Sequence, residues 1–438
     1  MIIPVYPVIL SKYNFPYNKV MIKQRKKVEI TAPAGSLESL SAAIRAGADS
    51  VYFGIEKLNM RSHSSANFTL RDLAKIAKIC AKSNVKSYLA LNTVIYDSDM
   101  SEMEKICDSA KSAGISAVIA GDIAVMKYAH SIGLPVHISV QANVSNIEAV
   151  KFFAKFADAI VLARELTLQQ IASITSAIKK EKITGVSGEL LKMEIFVHGA
   201  LCVSISGKCY MSLAVYNTSA NRGECYQSCR RKYRVTDDET GYEMIVDNKY
   251  VMSPKDLCTI RIIDKILDAG VSILKIEGRG RSADYVSAVT GAYREAVGLC
   301  SAGKISARGL ERLERELSSV FNRGFWHGGY YLGDKAGEWS GISGNKAEKK
   351  KVQLGIITNY FHKPGIAEIT LTAGDMKVGD EILATGRTTG AAKLEIGGIR
   401  VDGKESFTAK KGGVATFPSV IKLRRGDNVY LLSATGLE

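Results

Sequence analysis

Residues 28–54 read VEITAPAGSLESLSAAIRAGADSVYFG, and this stretch decides the fold. A β-branched run over residues 28–32 leads through a helix-length segment to a second strand-like run over residues 50–54. Ser36 is a residue type that caps a helix N-terminus, where the free N–H groups also favour an anion. Gly47 is the type that stops a helix in the left-handed region. Two such strands with a helix between them form a βα unit, which needs further units beside it to cover its sheet.

Working outward, the unit recurs. Strand-like runs at residues 86–92, 117–120, 136–141, 159–163, 194–198 and 272–277 bring the number to eight. Residues 70–82, 100–112, 147–156, 168–179 and 260–269 carry the helical period between them. Gly114, Gly133 and Gly270 stand at helix stops like that of Gly47. The fold class predicted is α/β: a TIM-barrel-like (β/α)8 domain over residues 28–335. It carries a cysteine-rich insertion after the seventh strand, ending in a hairpin at residues 233–246. Two more helices are expected at residues 283–299 and 310–320. From residue 351 to 438 the helical period vanishes and short strands alternate with Gly and Asp turns, which predicts a small C-terminal all-β barrel domain.

A chain of 438 residues has room for both, and its 46% hydrophobic and 24% charged content excludes disordered and fibrous classes. A net charge of +15 suits a polyanionic partner such as RNA, although it also serves solubility. Pro4, Pro7 and Pro16 break the apolar N-terminal stretch, which lacks a basic start and a cleavage site. Residues 1–27 are therefore expected to be a disordered extension, with Met21 an alternative start, and the protein to be cytoplasmic, off the membrane, with reduced thiols.

Five of the eight cysteines fall between Cys202 and Cys258, at Cys202, Cys209, Cys225, Cys229 and Cys258, with six, fifteen, three and twenty-eight residues between them. Reduced, clustered cysteines are metal ligands or redox groups. The wide, irregular spacing, without any C-x-x-C pair, favours an iron–sulfur cluster over zinc, and a nucleophilic or redox thiol is a third reading. Cys80, Cys107 and Cys300 lie on helix faces and read as small core residues. Cys202 follows the seventh strand directly, at the barrel end where active sites are built.

The stretch Glu194-Ile-Phe-Val-His-Gly-Ala-Leu-Cys202, with Ser206-Gly-Lys-Cys209 and Gly223-Glu-Cys225-Tyr-Gln-Ser-Cys229-Arg-Arg-Lys-Tyr233, resembles the collagenase-like peptidase family of unassigned catalytic type. Ala32-Pro-Ala-Gly35, Tyr52-Phe-Gly54, Ser253-Pro-Lys-Asp-Leu-Cys258 and Lys275-Ile-Glu-Gly-Arg279 extend the resemblance from residue 28 to the end. It implies hydroxylation, without O₂, of a tRNA wobble uridine, a ribosomal-RNA cytidine or a ubiquinone precursor, with prephenate as co-substrate. It also implies a [4Fe-4S] cluster on Cys202, Cys209, Cys225 and Cys258, with Cys229 as the substitute for Cys225. The tRNA branch looks closest, so tRNA, prephenate and cluster-donating proteins are the expected partners. A collagenase-like protease and a non-enzymatic RNA-binding subunit are the alternatives, although neither HExxH nor GxSxG occurs.

The candidate catalytic groups are Glu194, His198 and Glu277, with His198 expected to orient its loop rather than to act as ligand or base. Candidate substrate-binding residues at the strand ends are Gln141, Asn143, Arg164, Lys275 and Arg279. Arg164 and Arg279 can hold a dicarboxylate bidentately. Gln141 and Asn143 would equally satisfy buried backbone groups, and Lys275 with Glu277 would equally form an internal ion pair. Tyr210, Tyr216 and Tyr226 in the cysteine loop could stack on an unpaired base.

Overall fold

The computed structural model describes residues 28–63, 67–234, 236–243, 252–326, 339–342 and 344–435. The expected extension at residues 1–27 lies outside the described residues. Parallel strands β1 (Glu29–Pro33), β2 (Ser50–Phe53), β3 (Lys86–Leu91), β4 (Ala117–Ala120), β5 (Val136–Ile138), β6 (Ala159–Val161) and β7 (Lys192–Gly199) pair each with the next. Beyond the insertion, β8 (Asp256–Cys258) runs antiparallel to the end of β7. The barrel is closed by β9 (Ile273–Ile276), parallel to both β7 and β1. These eight parallel strands, with β8 as an addition, are the ones the sequence period predicts.

Helices α1 (Leu37–Arg45), α2 (Leu73–Lys82), α3 (Met100–Ser112), α4 (Ile123–Ser131), α5 (Ile147–Phe153) and α6 (Leu168–Glu181) return the chain between the first seven strands. The Ser36 hydroxyl accepts from the Ser39 amide at 3.2 Å, capping α1. Gly47, Gly114, Gly133 and Gly270 stand at φ +88°, +77°, +70° and +82°, where a side chain would be strained. The exposed face of α4 (IAVMKYAHS) joins apolar Ile123 to Lys127, His130 and Ser131, so its period is faint in the sequence. The segment predicted at residues 260–269 divides into a 3₁₀ turn and α8 (Ile263–Asp268), α7 (Met211–Tyr216) belonging to the insertion. Of the expected hairpin at residues 233–246, the described part holds an antiparallel bridge between Thr236 and Glu243. Long α9 (Ala283–Ser301) and α10 (Ala307–Ser318) then cover the barrel wall.

The C-terminal unit is an antiparallel sheet of eight strands. From edge to edge they are Gly390–Glu395, Glu381–Gly386, Asn428–Ala434, Lys349–Phe361, Ile366–Leu371, Val414–Pro418, Ile399–Val401 and Lys404–Ser406. Residues from most of these strands, including Leu354, Ile369, Ile382, Phe417 and Val429, enclose a single core, so the sheet must curl on itself.

The unit docks on α1 through its Gly386–Gly390 turn. Ser41 Oγ donates to the Arg387 carbonyl at 2.6 Å, and Gly390, at φ +72°, lies so close that a Cβ would sit 2.7 Å from the Ala42 amide nitrogen. Gly390→Val is therefore expected to cost about 1–3 kcal/mol by overpacking, seen as a lower denaturation midpoint. An unchanged midpoint would show that this contact does not hold the two units together.

Candidate functional site

At the C-terminal end of the barrel lies a cavity of about 240 Å³. Its floor is built by strand ends: Tyr52 on β2, Asn92 beyond β3, Gln141 beyond β5, Arg164 beyond β6, Phe196 on β7, and Lys275 and Glu277 on and after β9. The insertion forms its roof with Cys202, Ser206, Cys225 and Cys229. A larger hollow of about 900 Å³ opens near Glu29, Lys86 and Lys192 at the N-terminal end of the barrel, and among the described residues no cysteine or arginine lines it.

The wall of the mouth cavity is strongly cationic. Arg61, Arg164, Arg230, Arg279, Arg281 and Arg323 line it with Lys275, against one carboxylate among the described residues, that of Glu277. Burial alone would push the Glu277 carboxyl up. Arg61 at 3.2 Å, Arg279, the Tyr52 hydroxyl at 3.1 Å and Arg164 outweigh it, so Glu277 is held below the usual carboxylate range. Arg164 donates to Ser206 Oγ at 2.8 Å, and Arg279 to Asn59 Oδ1 at 2.9 Å, while the buried Arg279 Nε has no partner among the described residues. Neither guanidinium forms an ion pair with a carboxylate among the described residues, which leaves both able to take an anion.

Three predicted site residues are placed elsewhere. Lys275 pairs with Glu194 at 2.8 Å rather than with Glu277, and Glu194 also lies 3.9 Å from His137 Nδ1. That puts Glu194 inside the barrel, beneath the cavity rather than in it, where burial, only partly offset by Lys275, pushes its carboxyl up. Asn143 is a brace: in a left-handed conformation at φ +52°, it donates to the Ser206 carbonyl at 3.1 Å and so supports the cysteine loop. Gln141 does line the cavity and accepts from Asn92 Nδ2 at 3.1 Å.

His198 is the third. Along β7 the register advances by one between Phe196 and His198, so Val197 is an extra residue opposite β9. The bulge turns His198 outward among the rings of Tyr285, Tyr293 and Phe325, at centroid distances of 6.0, 5.7 and 5.6 Å. Burial there lowers its pKa from 6.5 to about 3. A histidine kept neutral in the fold takes up a proton more readily unfolded. The stability it contributes is whole above pH 6.5 and is lost as the pH falls toward 3. His198→Leu is expected to flatten the acid limb of a stability–pH curve, leaving the part due to His137, whose pKa burial lowers to about 4. An identical acid limb would contradict this placement.

The cysteines divide four to one. Burial and the neighbouring sulfurs of Cys202, Cys225 and Cys209 push the Cys229 thiol up to about 11, against the pull of Arg230. These four sulfurs thus share one electrostatic neighbourhood, three of them lining the cavity. As bare thiolates they would repel one another, which a cationic core between them would relieve. Among the described residues no three Cys, His, Asp or Glu side chains are placed to share one metal ion. In number, the four thiols match the four thiolate ligands that a four-iron cluster takes.

Cys258, which the resemblance put in the ligand set with Cys229 as a substitute for Cys225, does not line the mouth cavity. It lies opposite His198 in the β7–β8 pair, buried, with its sulfur toward Tyr293 on α9. Its thiol, pushed up to about 12 by burial, has Glu314 and Arg261 as charged neighbours, not the cavity wall.

Residues 35–341 match peptidase family U32. The chain belongs to this family. A collagenase of Porphyromonas gingivalis (strain W83) is 49% identical over 402 residues, covering 92% of this chain and 97% of that protein. The tRNA hydroxylation protein P1 of Bacillus subtilis is 30% identical, over 82% of this chain and 83% of its own. A 23S rRNA 5-hydroxycytidine synthase of Escherichia coli is 33% identical over 61% of this chain and 39% of its own.

Several cavity residues of this U32 chain escape a reading by strands and motifs. Arg61 lies on the loop between β2 and α2, which has no period to betray which side chain turns inward. Arg281 and Arg323 flank Phe321, with guanidinium carbons 3.5 and 5.1 Å from its ring centroid. Arg230 stands in the Cys229-Arg-Arg motif and ties the loop down by donating to the carbonyls of Leu201 and Pro254 at 2.6 and 2.7 Å. Among the described residues no helix is long and apolar enough to cross a membrane.

Proposed function

We propose that this chain hydroxylates a base in RNA, a tRNA wobble uridine first, using a 4Fe-4S cluster on Cys202, Cys209, Cys225 and Cys229 and a dicarboxylate such as prephenate. One observation carries the reading: three of four neighbouring cysteines share one cavity with a wall of arginines. When bound, the cluster supplies one-electron chemistry at the roof of that cavity. Arg164 and Arg279, neither paired with a carboxylate among the described residues, hold the two carboxylates of the co-substrate. Glu277, kept ionised by Arg61 and Arg279, is the group placed to accept a proton from the base. Lys275 is paired with Glu194 from below, so the anion field of the cavity comes chiefly from the arginines. Exposed Tyr210 and Tyr226, beside Cys209 and Cys225, offer rings for a neighbouring base to stack on. Cluster-donating proteins would load the site. The names of the RNA-hydroxylating relatives support the reaction class.

Mass spectrometry of nucleosides from a strain lacking this gene tests the substrate. Loss of 5-hydroxyuridine derivatives from tRNA is expected, loss of 5-hydroxycytidine from ribosomal RNA would move the activity to that substrate, and unchanged RNA would reject it.

The name of the Porphyromonas collagenase favours a second reading, peptide hydrolysis. A thiol peptidase needs a base beside its cysteine, whereas His198 packs among rings outside the barrel. Gelatin cleavage lost on Cys202→Ser in purified protein would establish that reading.

A further inference from the structure

The β2–α2 loop lies along the cysteine loop at one place. Gly223, at φ +96°, packs so tightly that a Cβ would collide with Ser62 Oγ and the Asn59 carbonyl oxygen. The His63 amide donates to the Gly223 carbonyl at 3.4 Å, and His63 Nε2 stands 3.7 Å from Glu224. These contacts bring Arg61, two residues before His63, across from Cys225, one residue after Glu224, and both side chains line the mouth cavity.

Arg61 is anchored on its other side by Glu277 at 3.2 Å. Its own amide donates to Asn59 Oδ1 at 3.0 Å, and the same oxygen accepts from Arg279 at 2.9 Å, so the loop conformation and the arginine pair are fixed together. Burial works against the Arg61 charge. Glu277 first and the Cys225 sulfur second outweigh it, leaving the guanidinium firmly protonated. The loop thus presents one fixed cation with a carboxylate on one side and a cluster-side sulfur on the other.

We propose that Arg61 is a positioning residue that sets the reduction potential of the cluster through Cys225, with Glu277 on its far side as the counter-charge that moderates it. The inference rests on the four-cysteine cluster reading. The physical reason is elementary: a cation beside a thiolate ligand stabilises the more negative, reduced core and raises the potential, and an anion does the reverse. Low dielectric makes such charges act strongly, and groups beyond the ligands commonly tune a metal centre in this way. The Arg61–Glu277 pair would also make the potential sensitive to an anion entering the cavity, because a carboxylate bound beside Arg279 adds negative charge next to Arg61.

The test is an anaerobic redox titration of the reconstituted full chain, followed by electron paramagnetic resonance, on wild type, Arg61→Gln, Arg61→Lys and Glu277→Gln, with iron measured on each sample. Arg61→Gln is expected to shift the midpoint downward, Arg61→Lys to return it most of the way, and Glu277→Gln to shift it upward. Opposite signs from two partners of one ion pair are what a tuning charge requires, since loosening of the site would move both variants in the same direction. If Arg61→Gln fails to hold iron, the upward shift in Glu277→Gln and the near-native midpoint in Arg61→Lys decide. Loaded variants with unchanged midpoints, or shifts of one sign, would overturn the inference while leaving the cluster reading intact. Wild type that takes up no iron would overturn both.

Discussion

Cys229→Ser empties the protein of iron, while Cys258→Ala leaves it loaded. This is the first of the two largest effects expected. A four-iron cluster needs four thiolates, and wild type reconstituted anaerobically should carry about four iron atoms per chain. Cys229 shares its surroundings with Cys202, Cys209 and Cys225, so losing its sulfur removes one corner of the set. Cys258 points the other way, into the layer between β8 and α9, where it acts as a small apolar side chain beside Tyr293. Its replacement by alanine should cost about 1 kcal/mol of stability, as small core truncations do, and no iron. Iron and acid-labile sulfide measured on the two variants check this. Loss of iron from Cys258→Ala with retention by Cys229→Ser would return the ligand role to Cys258.

Lys275→Met is expected to destabilise the barrel by about 3–5 kcal/mol, because removing one partner strands a buried charge. Glu194 is 1% exposed and Lys275 4%, and 2.8 Å separates them inside the closed sheet. With Lys275 gone, the carboxylate of Glu194 would have only His137, which burial keeps neutral, within reach. The joint change Glu194→Leu with Lys275→Met should recover much of the loss, since two apolar side chains carry no desolvation cost. Denaturant unfolding followed by circular dichroism reads both. A Lys275→Met protein as stable as wild type would show that Glu194 is protonated and needs no partner. The pair also explains why the mouth can hold so many cations: its lysine is neutralised from below, so the field in the cavity comes from the arginines.

The barrel was legible because its information is periodic. Most strands are short apolar runs, and several helices run into a left-handed glycine, as at Gly47, Gly114, Gly133 and Gly270. The mouth was legible for the same reason, since Cys202 must emerge from the end of the seventh strand. What the sequence hides is parity. Val197 adds one residue to β7, and that bulge sends His198 outward, although plain alternation from Glu194 would point it inward. Cys258 sits in the register opposite that displaced histidine, so the same bulge decides where its side chain lies. Arg61 was hidden for a different reason: its loop is shaped by contacts with Gly223 and Asn92, far along the chain. Lys275 and Glu277 were found, but their partners were not, because Lys275 pairs with Glu194 on the neighbouring strand β7 and Glu277 with Arg61 from the β2–α2 loop, contacts made through the fold rather than along the chain.

The central claim is that the four-cysteine mouth serves RNA hydroxylation. Its most direct test is nucleoside mass spectrometry of tRNA from a deletion strain carrying either the wild-type gene or the Cys229→Ser gene. Wild type should restore 5-hydroxyuridine derivatives and Cys229→Ser should not, though both proteins accumulate. Equal restoration by both, or by neither, would contradict the account.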